Sequence, residues 1–398
     1  MMHCIKDYPI TNTSVLLRCD LNVPLKDGLI LDNYRIKSSL NTIKYLISCG
    51  AKVIIISHLG RPNGEINPKY SLEPVCKELS KILDIEIKFI KNITSNDSIN
   101  YVSSLPSNSI VMLENLRFHK EEEMGDESFA QILSQYATCF VNDAFSCSHR
   151  KHSSIYTITK FLPSFSGLNL ENEIKQIDLI LQNNNKMFCI IGGGKVSSKI
   201  GLIKKLIPKS SAISLNGGMA NTFLLAKKFE TGLSLVEKDK VKDALEIIDL
   251  CTKHSCKLIL PVDVVVSKSF EKPINTRVID INSITIDDFI MDVGIKTMQE
   301  IEMELQNSEN IIWNGPLGVY ENKPFDIGSL YLARLIAYYT RLNKIKSIIG
   351  GGDAVACANL SGLFNEFSFI STAGGAFLEY LENSSLPAIE SLKYKLEK

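Results

Sequence analysis

The stretch Lys52-Val-Ile-Ile-Ile-Ser57-His58-Leu-Gly60-Arg61-Pro62 decides how this chain folds. Val53–Ile56 is β-branched without a polar interruption. Such a run suits a strand buried on both faces, as in a parallel sheet covered by helices. The chain then changes character within two residues, to His, Gly, Arg and Pro. The same device, an apolar strand running into a polar or glycine-rich turn, recurs along the sequence. It predicts strands at Ser14–Cys19, Ile85–Ile90, Ser109–Leu113 and Thr138–Val141 in the first half. In the second half it predicts Lys186–Ile191, Ala212–Leu215, Lys257–Leu260, Asn310–Trp313, Ser347–Ile349 and Phe367–Ile370. Amphipathic stretches lie between them, at Arg35–Ser48, Leu72–Leu83, Ser128–Tyr136, Lys238–Thr252 and Ser329–Tyr339. Strand–helix alternation throughout argues for an α/β protein. Ser269–Ile290 reads as a loop with short strands. No long-period repeat is present.

At roughly 100–200 residues per domain, 398 residues hold two or three domains. Pro163, Gly167 and nearby Ser and Asn residues predict a break. Leu168–Leu181 then reads as a single helix before a new strand, a connector between two α/β halves. With 45% hydrophobic and 22% charged residues, the composition excludes a disordered, collagenous or disulfide-dense chain. Lys+Arg and Asp+Glu are 44 each, so the basic excess of a nucleic-acid or anionic-membrane coat is missing. Anion-binding cations must therefore be gathered locally. The ten cysteines show neither C-x-x-C nor zinc spacing, and read as free thiols of a reducing compartment. No signal peptide or long apolar span is read, so a soluble, cytosolic protein is expected.

Ligands of open parallel sheets bind beyond the carboxyl ends of the strands. In the second half those ends run into Gly192–Gly194, Gly217-Gly218, Asn314-Gly-Pro-Leu-Gly318, Gly350–Gly352 and Gly374-Gly375. Glycine lets backbone approach a ligand, and helix N-termini behind such turns present N–H groups to phosphate. One such turn is ordinary chain reversal; five point to a nucleotide site. Neither triple glycine matches a P-loop or the G-x-G-x-x-G fingerprint, which disfavours a P-loop ATPase and an ordinary dinucleotide dehydrogenase. In the first half the strand ends carry cations instead: Arg18 with Arg35 on the next helix, His58 and Arg61, Arg117 and His119, His149 and Arg150. Arginine offers a planar fork to carboxylate and phosphate, so these describe a pocket for a small polyanion. Cations in one half and phosphate-cradling glycines in the other imply phosphoryl transfer across a cleft that closes to exclude water.

RCDLNVP, SHLGRP, LENLRFH, VNDAF with HRKHSS, GGGKVSSKI, LNGGMANTF, WNGPLGVYE, IIGGGDA and STAGGA occur in one order along residues 12–390. In these nine motifs the chain resembles the phosphoglycerate kinases. The resemblance implies two doubly wound, mainly parallel-sheet (Rossmann-like) α/β domains joined by a hinge helix. Residues 1–167 would bind 3-phosphoglycerate, with the tail 381–398 packing back on them; 168–184 would be the hinge helix and 185–380 the nucleotide domain. It implies Mg²⁺-dependent reversible transfer from 1,3-bisphosphoglycerate to ADP, giving 3-phosphoglycerate and ATP. Asp20, Asn22, Arg35, His58, Arg61, Arg117 and Arg150 would bind the glycerate, with Arg18 and His149 completing the basic patch. Arg35 and Lys195 would act on the moving phosphoryl group, helped by backbone N–H groups near Gly352 and Gly375. Lys199, Gly294, Asn314, Glu321, Gly351, Gly352, Asp353 and Ala354 would meet the nucleotide, and Asp353 would hold Mg²⁺.

Plainer readings stand beside three of these. Asp20 suits a turn cap before Pro24, Lys199 a solvated helix lysine, and Asp353 a helix N-cap. The chain also departs from the family pattern. Gly194 stands for the usual Ala, Ala354 for Thr or Ser, Ser146-Cys147-Ser148 for Gly-Thr-Ala, and STAGG for STGGG. The alternatives are another ATP-dependent kinase or ligase acting on a carboxylate, and a nucleotide-binding relative without activity. A monomer is expected, with no nucleic-acid or membrane partner.

Overall fold

The computed structural model describes residues 3–182, 186–371 and 373–393. The chain divides into two compact units. One runs to Lys175 and includes the chain from Asn383 onward; the other is Gln176–Glu382.

The first unit is built on a six-stranded parallel sheet. Its spatial order is Ile87–Ile90, Ile110–Leu113, Lys52–Ile56, Ser14–Arg18, Cys139–Asn142 and Ser164–Ser166. The Lys52–Ile56 strand is buried along its whole length, as its unbroken apolar run requires. Helix Tyr34–Ser48 packs against it with Ile36, Ile43 and Leu46 buried, a helical spacing. Ile56 and Asn142 both lie level with Arg18, so three strands end together. Cys19-Asp20, Ser57-His58 and Asp143 therefore leave the sheet side by side. The strand order reverses between Ser14–Arg18 and Cys139–Asn142, the position where open α/β sheets bind ligands. The predicted break at 162–167 is instead partly a strand: Ser164–Ser166 pairs with Phe140–Asn142 at the sheet edge. Pro163 precedes it and needs no N–H for the ladder. Ala388, near the chain end, packs with Ala144, Cys147 and Ile155, and its N–H bonds the Ser148 carbonyl.

The second unit carries another six-stranded parallel sheet. The order is Lys257–Ile259, Ala212–Leu215, Met187–Ile191, Asn310–Asn314, Lys346–Ile349 and Phe369–Ile370. Its reversal lies between Met187–Ile191 and Asn310–Asn314. Ile191 is level with both Leu215 and Asn314. Ile349 is level with Trp313 and Ile370. The turns that follow therefore open at one edge. Ser269–Ile290 belongs to a three-stranded antiparallel sheet, Arg277–Asp280, Asp263–Ser267 and Phe289–Val293.

Helix Leu168–Gln182 contains the division between the units at Lys175. Positions 183–184 of the expected connector and 394–398 of the expected tail lie outside the described residues. Helices Asn96–Ser104 and Ile295–Asn307 were not read from the sequence. The first buries Val102 alone, too little apolar periodicity to declare itself. Among the described residues no helix is long and apolar enough to cross a membrane.

Candidate active site

The first unit gathers its cations around one imidazole. His58 is buried, and burial, with Arg18, Arg117, Arg35 and Arg150 nearby, holds it well below its ordinary range. It is neutral at physiological pH. Arg18, 1% exposed, meets His58 Nδ1 at 3.1 Å through its second terminal nitrogen. A guanidinium can only donate, so Nδ1 is the acceptor and the ring proton sits on Nε2.

Asp20 has two jobs. Oδ1 accepts the Asn22 N–H at 3.2 Å, the turn-capping role, while Oδ2 pairs with Arg35 at 2.6 Å. The Arg35 side chain remains 30% exposed, held in place with room for a ligand. Asn22 Oδ1 accepts the Gly60 N–H at 2.9 Å, and Arg117 donates to the Gly60 carbonyl at 2.7 Å. The turns after two strands are thus tied together. Arg61 is exposed next to Gly60, and Arg150 Nε donates to His149 Nε2 at 3.1 Å.

Residues of ordinary type hold this arrangement from behind. The Ser154 hydroxyl donates to fully buried Glu122 at 2.6 Å and accepts from Arg18 Nε at 3.0 Å. Asn115 donates to the carbonyls of Leu59 and Tyr70, both at 2.8 Å, and accepts the Arg117 N–H at 3.0 Å. In the departing Ser146-Cys147-Ser148, the Ser146 hydroxyl donates to Asp20, and Cys147 Sγ lies 3.9 Å from His58 Nδ1. No sequence signal marked Glu122; Asn115 and Ser154 fall inside two of the quoted motifs without being singled out, and Ser146 was noticed only as a departure from the family pattern.

In the second unit the glycine turns meet backbone to backbone. Gly192 N–H donates to the Asn314 carbonyl at 2.8 Å, Met219 N–H to Gly193 at 2.9 Å and Gly217 N–H to Leu317 at 3.0 Å. Around them opens a cavity of about 220 Å³. Its floor is glycine backbone, its walls include Leu235, Phe289, Met291 and Val319, and Glu321 and Asp353 add carboxylates. Of these walls only Phe289 comes from the stretch read as a loop, and Val319 falls inside a quoted motif. A glycine floor against apolar walls accommodates a flat ring on one side and phosphates on the other.

Lys199 is not a solvated lysine. It precedes helix Ile200–Leu206, and Nζ turns inward to the Gly192 carbonyl and to Asn314 Oδ1 at 2.5 Å. Burial pushes it down to about 8, against a smaller upward pull from Asp353. Asn314 also donates to the Gly350 carbonyl at 2.6 Å, so its amide joins two turns and lies outside the cavity lining. Gly294 also lies outside the lining, tucked against the Asp263 carboxylate. Asp353 is not an N-cap: Gly351 occupies that position, and Asp353 is the second residue of helix Gly352–Leu360. The Tyr320 hydroxyl reaches it at only 3.4 Å. Gly352 and Gly375 are exposed at the starts of neighbouring helices, and a Cβ on Gly374 would sit 3.9 Å from the Gly352 nitrogen. Ala354 is buried in the core with Trp313 and Cys357. Lys195 is exposed after Gly194, with no ion pair to its ammonium among the described residues.

The departure at Gly194 is sterically open. An added Cβ would meet Leu235 at 3.6 Å, an ordinary contact. Gly194→Ala is therefore expected to fold and to gain about 0.4–1 kcal/mol through the unfolded state. A denaturant midpoint below that of the parent would contradict this.

Two doubly wound parallel sheets, one ending in arginines and the other in glycine turns, are the build of an α/β protein that handles phosphorylated ligands. The family model described as "Phosphoglycerate kinase" matches residues 5–384. A phosphoglycerate kinase of Orientia tsutsugamushi (strain Ikeda) is 43% identical over 397 residues, covering 99% of this chain and 97% of the relative. One of Borreliella afzelii (strain PKo) is 41% identical over 391 residues, with 98% of each covered. The solved phosphoglycerate kinase of Coxiella burnetii superposes with a TM-score of 0.89 at 33% identity, covering 99% of both chains. That of Pyrococcus horikoshii gives 0.82 at 30% identity, covering 98% of both. The chain belongs to the phosphoglycerate kinase family.

Proposed function

We propose that this chain is an active kinase of its family, working through the two sites described. It transfers the acyl phosphate of 1,3-bisphosphoglycerate to ADP, reversibly, giving 3-phosphoglycerate and ATP. The observation that carries the reading is the basic pocket: four arginines surround a neutral histidine in a chain of zero net charge. Such a pocket fits a small ligand bearing both carboxylate and phosphate.

In this reading Arg117, Arg150 and Arg61 bind the glycerate phosphate and its surroundings, and buried Arg18 completes the basic patch with His149. His58 donates from Nε2, and Asp20 with Asn22 receives the substrate hydroxyl and aims Arg35. The reacting carboxylate is already ionised at neutral pH, so no general base is needed. The moving group passes through a loose, trigonal state with charge on its equatorial oxygens. Lys195 and Arg35 meet that charge, with N–H groups of Gly352 and Gly375. Glu321 holds the ribose, and Gly351, Gly352, Asp353 and Ala354 take the nucleotide phosphates at the helix N-terminus. Lys199 supports the same turns from inside, with Asn314; Gly294 borders the cavity strand. Residues 1–167 with the tail from 381 are the glycerate domain, 168–184 the hinge and 185–380 the nucleotide domain. Both ligands must react away from water, so the hinge closes during turnover.

The site chemistry fits Mg²⁺. Asp353 is an exposed carboxylate with one weak protein contact, and no group of three His, Cys, Asp or Glu side chains placed to hold a metal by themselves occurs among the described residues. Mg²⁺ characteristically uses one or two carboxylates, substrate phosphates and water. Bound there, it would neutralise phosphate charge. The charge balance speaks against a nucleic-acid partner, and ten free cysteines suit a cytoplasmic enzyme.

A coupled assay with ATP, Mg²⁺ and 3-phosphoglycerate tests the reading. Turnover is expected, is abolished by EDTA, and is recovered in Asp353→Asn only at raised Mg²⁺. Nucleotide binding without turnover would leave the inactive relative as the answer. Lys199 supplies an independent check. Its free-state position near 8 is set by burial, and an anionic phosphate would raise it. Nucleotide binding above pH 8 should therefore take up a proton. Calorimetry in buffers of different ionisation heat measures that uptake, which should vanish in Lys199→Met.

A further inference from the structure

The C-terminus of helix Val241–Lys253 is closed by a Schellman turn. Ser255, at φ 55°, is the left-handed residue such a turn requires. Its N–H donates to the Thr252 carbonyl at 3.2 Å, and the Cys256 N–H donates to the Cys251 carbonyl at 2.9 Å. This pattern sets the residue two beyond the cap against the third residue from the helix end, normally as a hydrophobic contact. Here both partners are cysteines. Each thiol acts on the other's titration, holding Cys251 down and, together with burial, Cys256 up. Both are free, and both line a second cavity of about 420 Å³ in this unit. Neither has a part in the kinase reading.

We propose that Cys251 and Cys256 form a dithiol site that closes to a disulfide by exchange with small-molecule disulfides. The geometry is suited to closure. A disulfide needs Cα atoms about 4.4–6.8 Å apart, and a backbone bond from Cys256 to Cys251 already holds the two residues together. No turn of helix has to unwind. The cavity gives a small disulfide a way to the buried sulfurs.

Cys251 is the attacking thiol, because the neighbouring Cys256 holds it below the ordinary thiol range. Its sulfur bonds to one sulfur of the small disulfide and expels the other half as thiolate. The Cys256 sulfur then gives up its proton, attacks Cys251 Sγ and expels the second half. Two protein thiols and one disulfide become one protein disulfide and two small thiols, and the protons lost by the cysteines pass to the leaving thiolates. Cys189 is a third buried thiol nearby, but its Sγ sits 3.3 Å from the Ser210 hydroxyl and it does not line the cavity.

The test uses the full chain in glutathione buffers of graded composition, quenched by alkylation and digested with trypsin. Cleavage after Lys253 separates the two cysteines, so the disulfide appears as a linked pair of peptides. The linked pair is expected to grow with the oxidised fraction and to disappear on reduction. Cys256→Ser should stop at glutathione bound to Cys251. Three results would each overturn the proposal: alkylation of both cysteines in every buffer, a principal linkage to Cys189, or a Cys256→Ser protein without glutathione on Cys251.

Discussion

Lys195→Ala is expected to lower kcat by on the order of 10²–10³-fold while the affinity for 3-phosphoglycerate stays nearly constant. The reason lies in what Lys195 does not do for the fold. It is exposed just beyond Gly192–Gly194, and no ion pair to its ammonium is formed among the described residues. Removing it should leave the thermal transition in place. Its charge is then free for a ligand, and the phosphoryl group gathers charge on its equatorial oxygens only as it moves. An interaction made in that state alone appears in kcat and not in ground-state affinity. The comparison needs initial rates over both substrates beside a melting curve. Intact kcat with weakened 3-phosphoglycerate binding would remove Lys195 from the transfer step.

Gly192→Ala should be the most damaging small substitution in the second unit, costing about 3 kcal/mol. A Cβ at Gly192 would overlap the Pro316 carbonyl oxygen. That oxygen belongs to backbone and cannot swing aside, and the Gly192 N–H is fastened to the Asn314 carbonyl at 2.8 Å. Against a total stability of about 5–15 kcal/mol, such a loss is large. Trp313, fully buried beside these turns, is the single tryptophan, so its fluorescence reports this unit. The urea midpoint read at Trp313 should fall steeply for Gly192→Ala and hold or rise for Gly194→Ala. Equal midpoints for the two would mean that the turn relaxes, and that the close approach of residues 192 and 316 is not a constraint.

The contrast between these neighbouring glycines could not be read from the triplet Gly192-Gly193-Gly194, where all three look equivalent. Only the strand order, which sets Met187–Ile191 beside Asn310–Asn314, brings Pro316 over Gly192 and leaves Gly194 facing Leu235. Asn314 teaches the same lesson. Its place after a strand made it a candidate for the nucleotide, yet its amide is used on Lys199 and Gly350. Lys199 is drawn inward by the same contact. Conversely, the exposed Asp353 could be judged from local position only as a cap or a ligand group, and the N-cap at Gly351 removes the first reading.

Strands such as Lys52–Ile56 announce themselves because burial on both faces demands an unbroken apolar run. Their ends are visible because composition changes there, so Arg18, His58, Arg117 and the glycine turns could be picked out along the chain, whereas Asp20 and Lys195 were assigned only through the family resemblance. These are local consequences of burial and backbone freedom. The supports and the walls were settled by tertiary structure. Glu122, Ser154 and Asn115 reach the basic pocket, and Leu235, Phe289 and Met291 reach the cavity, from segments distant in sequence. Their residue types are common, and each acquires its function through a neighbour that only the folded chain supplies. The pair Cys251 and Cys256 stands between these cases: its spacing is local, but a helix end with a left-handed Ser255 is needed to bring the Cys256 N–H onto the Cys251 carbonyl across five positions of sequence.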